Sequence, residues 1–217
     1  MKNHIKPLFT FIVLAIILTL SARSQTTRLP LVGIRGGANF SNLYTSGARD
    51  TKSLTGFNVG LFSKIPVSGM LAIEPEIYFT TKGATISYNN FFVNGTATFK
   101  LNYIELPLMM VVNLTENFNI HAGPYAGYLV NGSVKNNANI DLFNFEDNIT
   151  ADDFNRIDAG VAAGAGLDFS GVSIGIRYSY GLTKVGKEKT FLGTSYTFPD
   201  AKNSVISLYA SIALFKN

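Results

Sequence analysis

The chain has no cysteine. A disulfide framework, a thiolate metal site and a cysteine nucleophile are therefore excluded, and the fold must close by hydrogen bonding and packing alone. Histidine is scarce as well. His4 lies in the leader described below, which leaves His121 as the one imidazole of the mature chain. An excess of one charge sign is also missing. Lys2, Lys6 and Arg23 account for three of the 18 basic residues, leaving 15 against 14 acidic ones once the leader is set aside. A nearly neutral mature chain has no electrostatic footprint for nucleic acid. Finally, no uninterrupted apolar span follows the leader. A spanning helix needs about 20 apolar residues. Only helices and closed barrels satisfy every backbone group in lipid, so this chain enters a membrane only as a barrel.

The one apolar run that is present lies at the start. A basic segment, Met1 to Lys6, precedes the apolar stretch Leu8 to Leu20. Ala22 and Ser24 then place small residues three and one positions before a cut between Ser24 and Gln25. This reads as a cleaved secretory signal peptide over residues 1–24, too short for a membrane anchor, with residues 25–217 forming one domain.

What remains alternates. From Arg156 to Phe169, the odd positions Ile157, Ala159, Val161, Ala163, Ala165, Leu167 and Phe169 are apolar. The even positions Arg156, Asp158, Gly160, Gly164, Gly166 and Asp168 are charged or small. A strict period of two describes a strand with two unlike faces. Its length exceeds the ordinary globular strand and suits one tilted across a bilayer. Small residues beside charges suit the crowded interior of a narrow barrel, with the other face towards lipid.

Seven further segments repeat the pattern, begun by Ile34, Phe57, Leu71, Tyr103, Ile120, Val172 and Ile206. The connections alternate in length. Val67 to Gly69, Leu114 to Asn117 and Ser170-Gly171 are tight; Thr45 to Ser53, Asn89 to Gly95, Val134 to Phe154 and Val185 to Lys202 are long. Short periplasmic turns and long outward loops mark outer-membrane barrels. The expectation is all-β: an eight-stranded antiparallel up-and-down transmembrane β-barrel in the cell outer membrane, preceded by a cleaved signal peptide. Pro75, Pro107 and Pro124 fall inside strands, where a missing ladder donor predicts a bulge or a pairing boundary.

The charges carry the expectation about the interior. Arg35, Glu74, Glu76, Glu105, Arg156, Asp158, Asp168 and Arg177 all fall on polar faces. Ions buried in a narrow lumen must pair. Their near balance predicts a structural ion-pair network, with Tyr78, Tyr103, Tyr125 and Tyr209 filling gaps. Such a lumen is plugged; a wide aqueous channel takes roughly 16 strands.

Competing chemistry is weaker at each point. Glu74 and Glu76 resemble an acid–base pair, but on one strand face carboxylates serve more often as partners of arginine. His121 falls near the periplasmic end, away from the rim where a site for outer-leaflet lipid belongs. Gly160 to Gly166 lacks the strand–turn–helix context of a nucleotide loop. The longest loop holds Asp141, Glu146, Asp147, Asp152 and Asp153 without calcium-loop spacing, and Thr150 to Asp153 resembles a capping box. Lys184, Lys187 and Lys189 read first as a solvated basic loop, with lipopolysaccharide phosphates as the alternative. No catalytic residue, metal or cofactor is expected.

Several motifs together resemble a known family. They are Gly36-Gly37-Ala38-Asn39-Phe40-Ser41, Ile73-Glu74-Pro75-Glu76-Ile77-Tyr78 with Lys82-Gly83, Tyr103-Ile104-Glu105-Leu106-Pro107-Leu108, Ala122-Gly123-Pro124-Tyr125 and Asp158-Ala159-Gly160. In this order they resemble the PorT-type outer-membrane β-barrel proteins, related in architecture to the OmpX and OmpA transmembrane barrels. The resemblance implies insertion by the barrel-assembly machinery and, for the founding members, accessory roles in secretion or gliding. The expected partners are outer-membrane lipid, lipopolysaccharide and an envelope protein met through the outward loops. A monomer is expected, and no nucleic acid. The main reading is a structural or interaction barrel without catalysis. The alternatives are an outer-membrane enzyme acting on lipid or peptide, and a soluble lipocalin-like carrier with its faces reversed.

Overall fold

The computed structural model describes residues 30–44, 51–89, 94–138, 145–148, 154–186, 190–191, 194–195 and 201–215. The expected signal peptide and its expected Ser24/Gln25 cleavage point lie outside the described residues. So do Asp141, the 150–153 capping box, Lys187 and Lys189.

Eight long strands form a ring: β1 (Leu31–Tyr44), β2 (Thr51–Pro66), β3 (Leu71–Asn89), β4 (Asn94–Asn113), β5 (Phe118–Ala138), β6 (Ile157–Asp168), β7 (Val172–Gly181) and β8 (Lys202–Phe215). Each pairs antiparallel with the next. β8 returns to β1, from Tyr44↔Lys202 to Val32↔Phe215, and closes the cylinder. Closure removes the unpaired strand edges that lipid does not tolerate. This is the all-β up-and-down barrel that the alternation predicts.

The two faces of each strand differ sharply. On β4, Ile104, Leu106, Leu108 and Met110 are exposed, while Tyr103, Glu105 and Met109 are buried between them. On β8, Ile206, Leu208, Ile212 and Leu214 are exposed, while Val205, Tyr209 and Ser211 are buried. A girdle of bare leucine and isoleucine on this scale is foreign to a water-soluble monomer and ordinary for a wall in hydrocarbon.

The turns fix the ends. Val67 and Ser68 N–H both donate to Leu71 O, and Phe169 N–H donates to Val172 O at 2.7 Å across Ser170-Gly171. Gly171 has φ +85°, which a side chain would resist. All three tight turns and the start of β1 share one end, assigned to the periplasm by the rule of short inner turns.

At the other end β3, β4 and β5 run for 19, 20 and 21 residues, well beyond the roughly 9–11 that cross a bilayer. Here the described parts of Val134 to Phe154, expected as one long loop, include regular strand. β5 continues to Ala138, and a short strand, Phe145–Asn148, pairs back onto Ser133–Asn136. Polar residues on both faces hide this extension from any search for alternation: Asn136 on the buried face is as polar as Lys135 and Asn137 on the exposed one. At Gly83 the β3 backbone takes φ +151°, and a Cβ there would collide with Phe99 O on β4.

The prolines mark pairing boundaries without a shift of register. Pro75, Pro107 and Pro124 pair on one side with Leu108, Tyr125 and Val161, and on the other side each falls in an interruption of the ladder, opposite β2, β3 and β4 respectively. The register instead shifts at Val32/Gly33, Ser53/Asn58 and Asn102/Tyr103.

Candidate functional site: the charged lumen

Inward-facing residues stack in layers along the barrel axis. At the periplasmic mouth, Lys64 of β2 donates to Asp168 Oδ2 of β6 at 3.1 Å and to Asn113 Oδ1 at 3.0 Å. Asn119 Nδ2 donates to the same Asp168 oxygen at 2.9 Å.

The next layer centres on Glu76 of β3. Arg35 Nη1 of β1 donates to Glu76 Oε1 at 2.5 Å and to Glu74 Oε1 at 2.8 Å. From β7, Arg177 donates through Nη1 to Glu76 Oε2 at 2.5 Å and through Nη2 to Oε1 at 2.8 Å. This is the bidentate fork that guanidinium and carboxylate planes favour. The rings of Phe62 and Tyr209 lie 4.5 and 4.6 Å from the Arg35 guanidinium, within cation–π range. Arg177 Nε–H donates to His121 Nε2 at 3.4 Å, and His121 Nδ1 meets Asn119 Oδ1 at 3.2 Å. Both imidazole nitrogens therefore have protein partners, which suits a packing role and leaves no open acceptor for a substrate proton.

One layer outward, Lys82 of β3 forms ion pairs with Glu105 of β4 and, at 3.0 Å, with Asp158 Oδ2 of β6. Tyr125 lies 4.4 Å from the Lys82 ammonium. Asp158 also accepts from Asn203 Nδ2 at 3.1 Å and Thr183 Oγ1 at 3.3 Å. Above this layer the lumen turns apolar. Leu43, Ala84, Leu101, Leu129, Val185 and Ala201 form a buried cluster with Phe154 packed on it. Backbone bonds hold Val185 there: its N–H donates to Ala201 O, and Asn155 N–H donates to its carbonyl.

Of the eight charges picked out by face, the fold brings Arg35, Glu74, Glu76 and Arg177 into one cluster. Glu105 and Asp158 meet in a second, and Asp168 sits apart with Lys64 at the half-open mouth. Arg156 is a correction. It precedes β6 at a bend, is exposed, and places Nη1 3.0 Å from Tyr128 Oη on the outer wall. The alternation that assigned it inward starts only at Ile157. Lys82, central to the second cluster, was not among the eight. It shares the inward parity of Glu74, Glu76, Tyr78 and Thr80, and extending that face by one step finds it. The apolar cap was also missed, because Val185 belongs to a connection with no pattern.

Among the described residues no three His, Asp or Glu side chains converge as a metal site. The mid-lumen space between Arg35, Lys82, Glu105 and Arg177 is about 30 Å³, room for little more than a water molecule.

This wall, girdle and packed ionic interior coincide with a family signature. The family model described as outer membrane protein beta-barrel domain matches residues 23–186. The chain belongs to this family. As an outer-membrane β-barrel domain protein it resides in the outer membrane and crosses it with strands. Among solved structures, neisserial surface protein A is similar, with a TM-score of 0.51 at 15% identity, covering 84% of this chain and 97% of that one. The attachment invasion locus protein Ail of Yersinia pestis aligns with a TM-score of 0.45 at 17% identity, over 83% and 96% of the two chains. At such identities the likeness to neisserial surface protein A is one of fold. No curated protein sequence matches the chain.

Proposed function

We propose that this outer-membrane barrel is a non-catalytic structural or interaction protein. Its lumen is closed, and its working surface is the outward ends of β3 to β5 with their connections. One observation carries the closed lumen. The ion pairs join opposite walls of the ring: Glu76 of β3 to Arg177 of β7, Lys64 of β2 to Asp168 of β6. In an eight-membered ring these strands stand four apart. Bonds across the diameter, under an apolar cap, leave no continuous water path. The outward face is then the part offered to envelope partners and to lipopolysaccharide. The resemblance to PorT-type barrels supports an accessory place in a larger envelope assembly.

The test is conductance. Purified protein in planar bilayers is expected to show no large, stable open channel. Channels of porin size, stable for seconds, would contradict the closed lumen.

A further inference from the structure

The outer of the two ionic clusters brings an amine and two carboxylates into contact where little solvent reaches them. Lys82 Nζ lies 3.0 Å from Asp158 Oδ2, and Glu105 pairs with the same ammonium. The Lys82 and Asp158 side chains are each 2% exposed, and that of Glu105 is 9% exposed. The rings of Tyr125 and Tyr103 lie 4.4 and 5.5 Å from the ammonium, and the apolar cap lies above. A site this dry penalises separate ions. Moving a proton from ammonium to carboxylate, which leaves a neutral amine and acid, therefore costs less here than in water.

The two carboxylates are not equivalent. Asp158 accepts at both oxygens: Oδ2 from Asn203 Nδ2 at 3.1 Å and Tyr125 Oη at 3.4 Å, and Oδ1 from Thr183 Oγ1 at 3.3 Å. Donors on both oxygens draw electron density from Cγ and stabilise the oxyanion of an adduct. Glu105 Oε2, by contrast, has no hydrogen bond beyond its pairing with Lys82, so it is free to take up a proton.

We propose that Lys82 and Asp158 condense into an isopeptide bond, with Glu105 as the proton carrier. Lys82 Nζ attacks Asp158 Cγ and forms the C–N bond; the bond from Cγ to Oδ2 breaks, and Oδ2 leaves as water. The amide keeps one of the three ammonium protons. Glu105 relays the other two to the leaving oxygen and ends as the carboxylate it began, accepting from the new amide N–H. No oxidant or further reactant is needed. Contact in a fixed frame supplies the effective concentration that the same condensation lacks in water. The mid-lumen space beside Lys82 and Glu105, about 30 Å³, holds the one water released. The product replaces two buried ions by an amide. It also ties β3 to β6 across 76 residues, in a chain with no cysteine for a disulfide.

Mass spectrometry tests the bond in full-length protein that is folded, purified in detergent and then denatured and digested. One branched peptide is expected, joining the Lys82 and Asp158 segments and lighter than their sum by one water. Glu105→Gln keeps the side-chain size but carries no proton; with folding checked by heat-modifiable gel migration, it is expected to give the two peptides unlinked. Should Glu105→Gln misfold, Glu105→Asp is expected to slow linking after refolding from urea by at least about tenfold. Unlinked peptides in the wild type would overturn the bond, as would a link from Lys82 to Glu105. Full linking in folded Glu105→Gln, or an unchanged rate in Glu105→Asp, would overturn the role of Glu105. The readout is independent of conductance, so its failure leaves the closed lumen untouched.

Discussion

Replacing Glu76 by leucine is expected to lower the thermal stability of the barrel more than any other single lumen substitution. Glu76 accepts three hydrogen bonds from two guanidinium groups. No other carboxylate reaches Arg177 among the ion pairs of the described residues. Leucine fills similar volume, so the effect is not chiefly a cavity. It leaves Arg177 as a buried cation without a counter-charge and Arg35 with Glu74 alone. Removing one partner of a buried pair costs about 3–5 kcal/mol, because the remaining ion keeps its desolvation penalty. The cost is compounded by geometry, since the same carboxylate ties β1, β3 and β7 together across the ring. Arg156→Ala is the matched control: Arg156 is exposed on the outer wall, and a change there is expected to fall within about 0.5 kcal/mol. Thermal unfolding followed by circular dichroism in detergent, alongside heat-modifiable migration, reads both. A Glu76→Leu protein that melts with the wild type would remove the ion-pair account of the interior.

The second large effect belongs to the outside. Leu108 is 48% exposed, flanked by Leu106 and Met110 on the same face, with the polar ends of β4 well removed on either side. Leu108→Arg places a guanidinium in the middle of the girdle. In a bilayer a cation near the midplane of a barrel wall costs about 2–4 kcal/mol. On a water-soluble barrel the same exposed substitution would be close to neutral. Equilibrium unfolding by urea in lipid vesicles is the measurement, and a midpoint shifted to clearly lower urea is the expected result. An unchanged midpoint would favour a solvated exterior.

How much of this was legible in the sequence depends on parity. Glu74, Glu76, Glu105, Asp158 and Arg177 were placed inward by period two alone, since every second residue on a strand shares a face. Their pairing was not legible. Arg177 and Glu76 are 101 residues apart, and only ring closure with a definite register brings β3 opposite β7. Parity also fails where strands end. Arg156 was carried inward by a pattern that begins one residue later. Asn136 and Asn137 sit on a strand whose polar faces give no alternation. The apolar cap was hidden for another reason: Leu43, Leu101 and Leu129 lie on inward faces expected to be polar. They are satisfied only because Val185 and Phe154, from segments outside the eight strands, fold onto them.

The central claim is that the greasy flank of each strand meets acyl chains and the polar flank a filled interior. Spin labels on single cysteines from Val205 to Ile212, in lipid vesicles, test it residue by residue through collision with dissolved oxygen. The account predicts a period of two, high at Ile206, Leu208, Ala210 and Ile212 and low at Val205, Ser207, Tyr209 and Ser211. A reversed phase, or a period near 3.6, would contradict it.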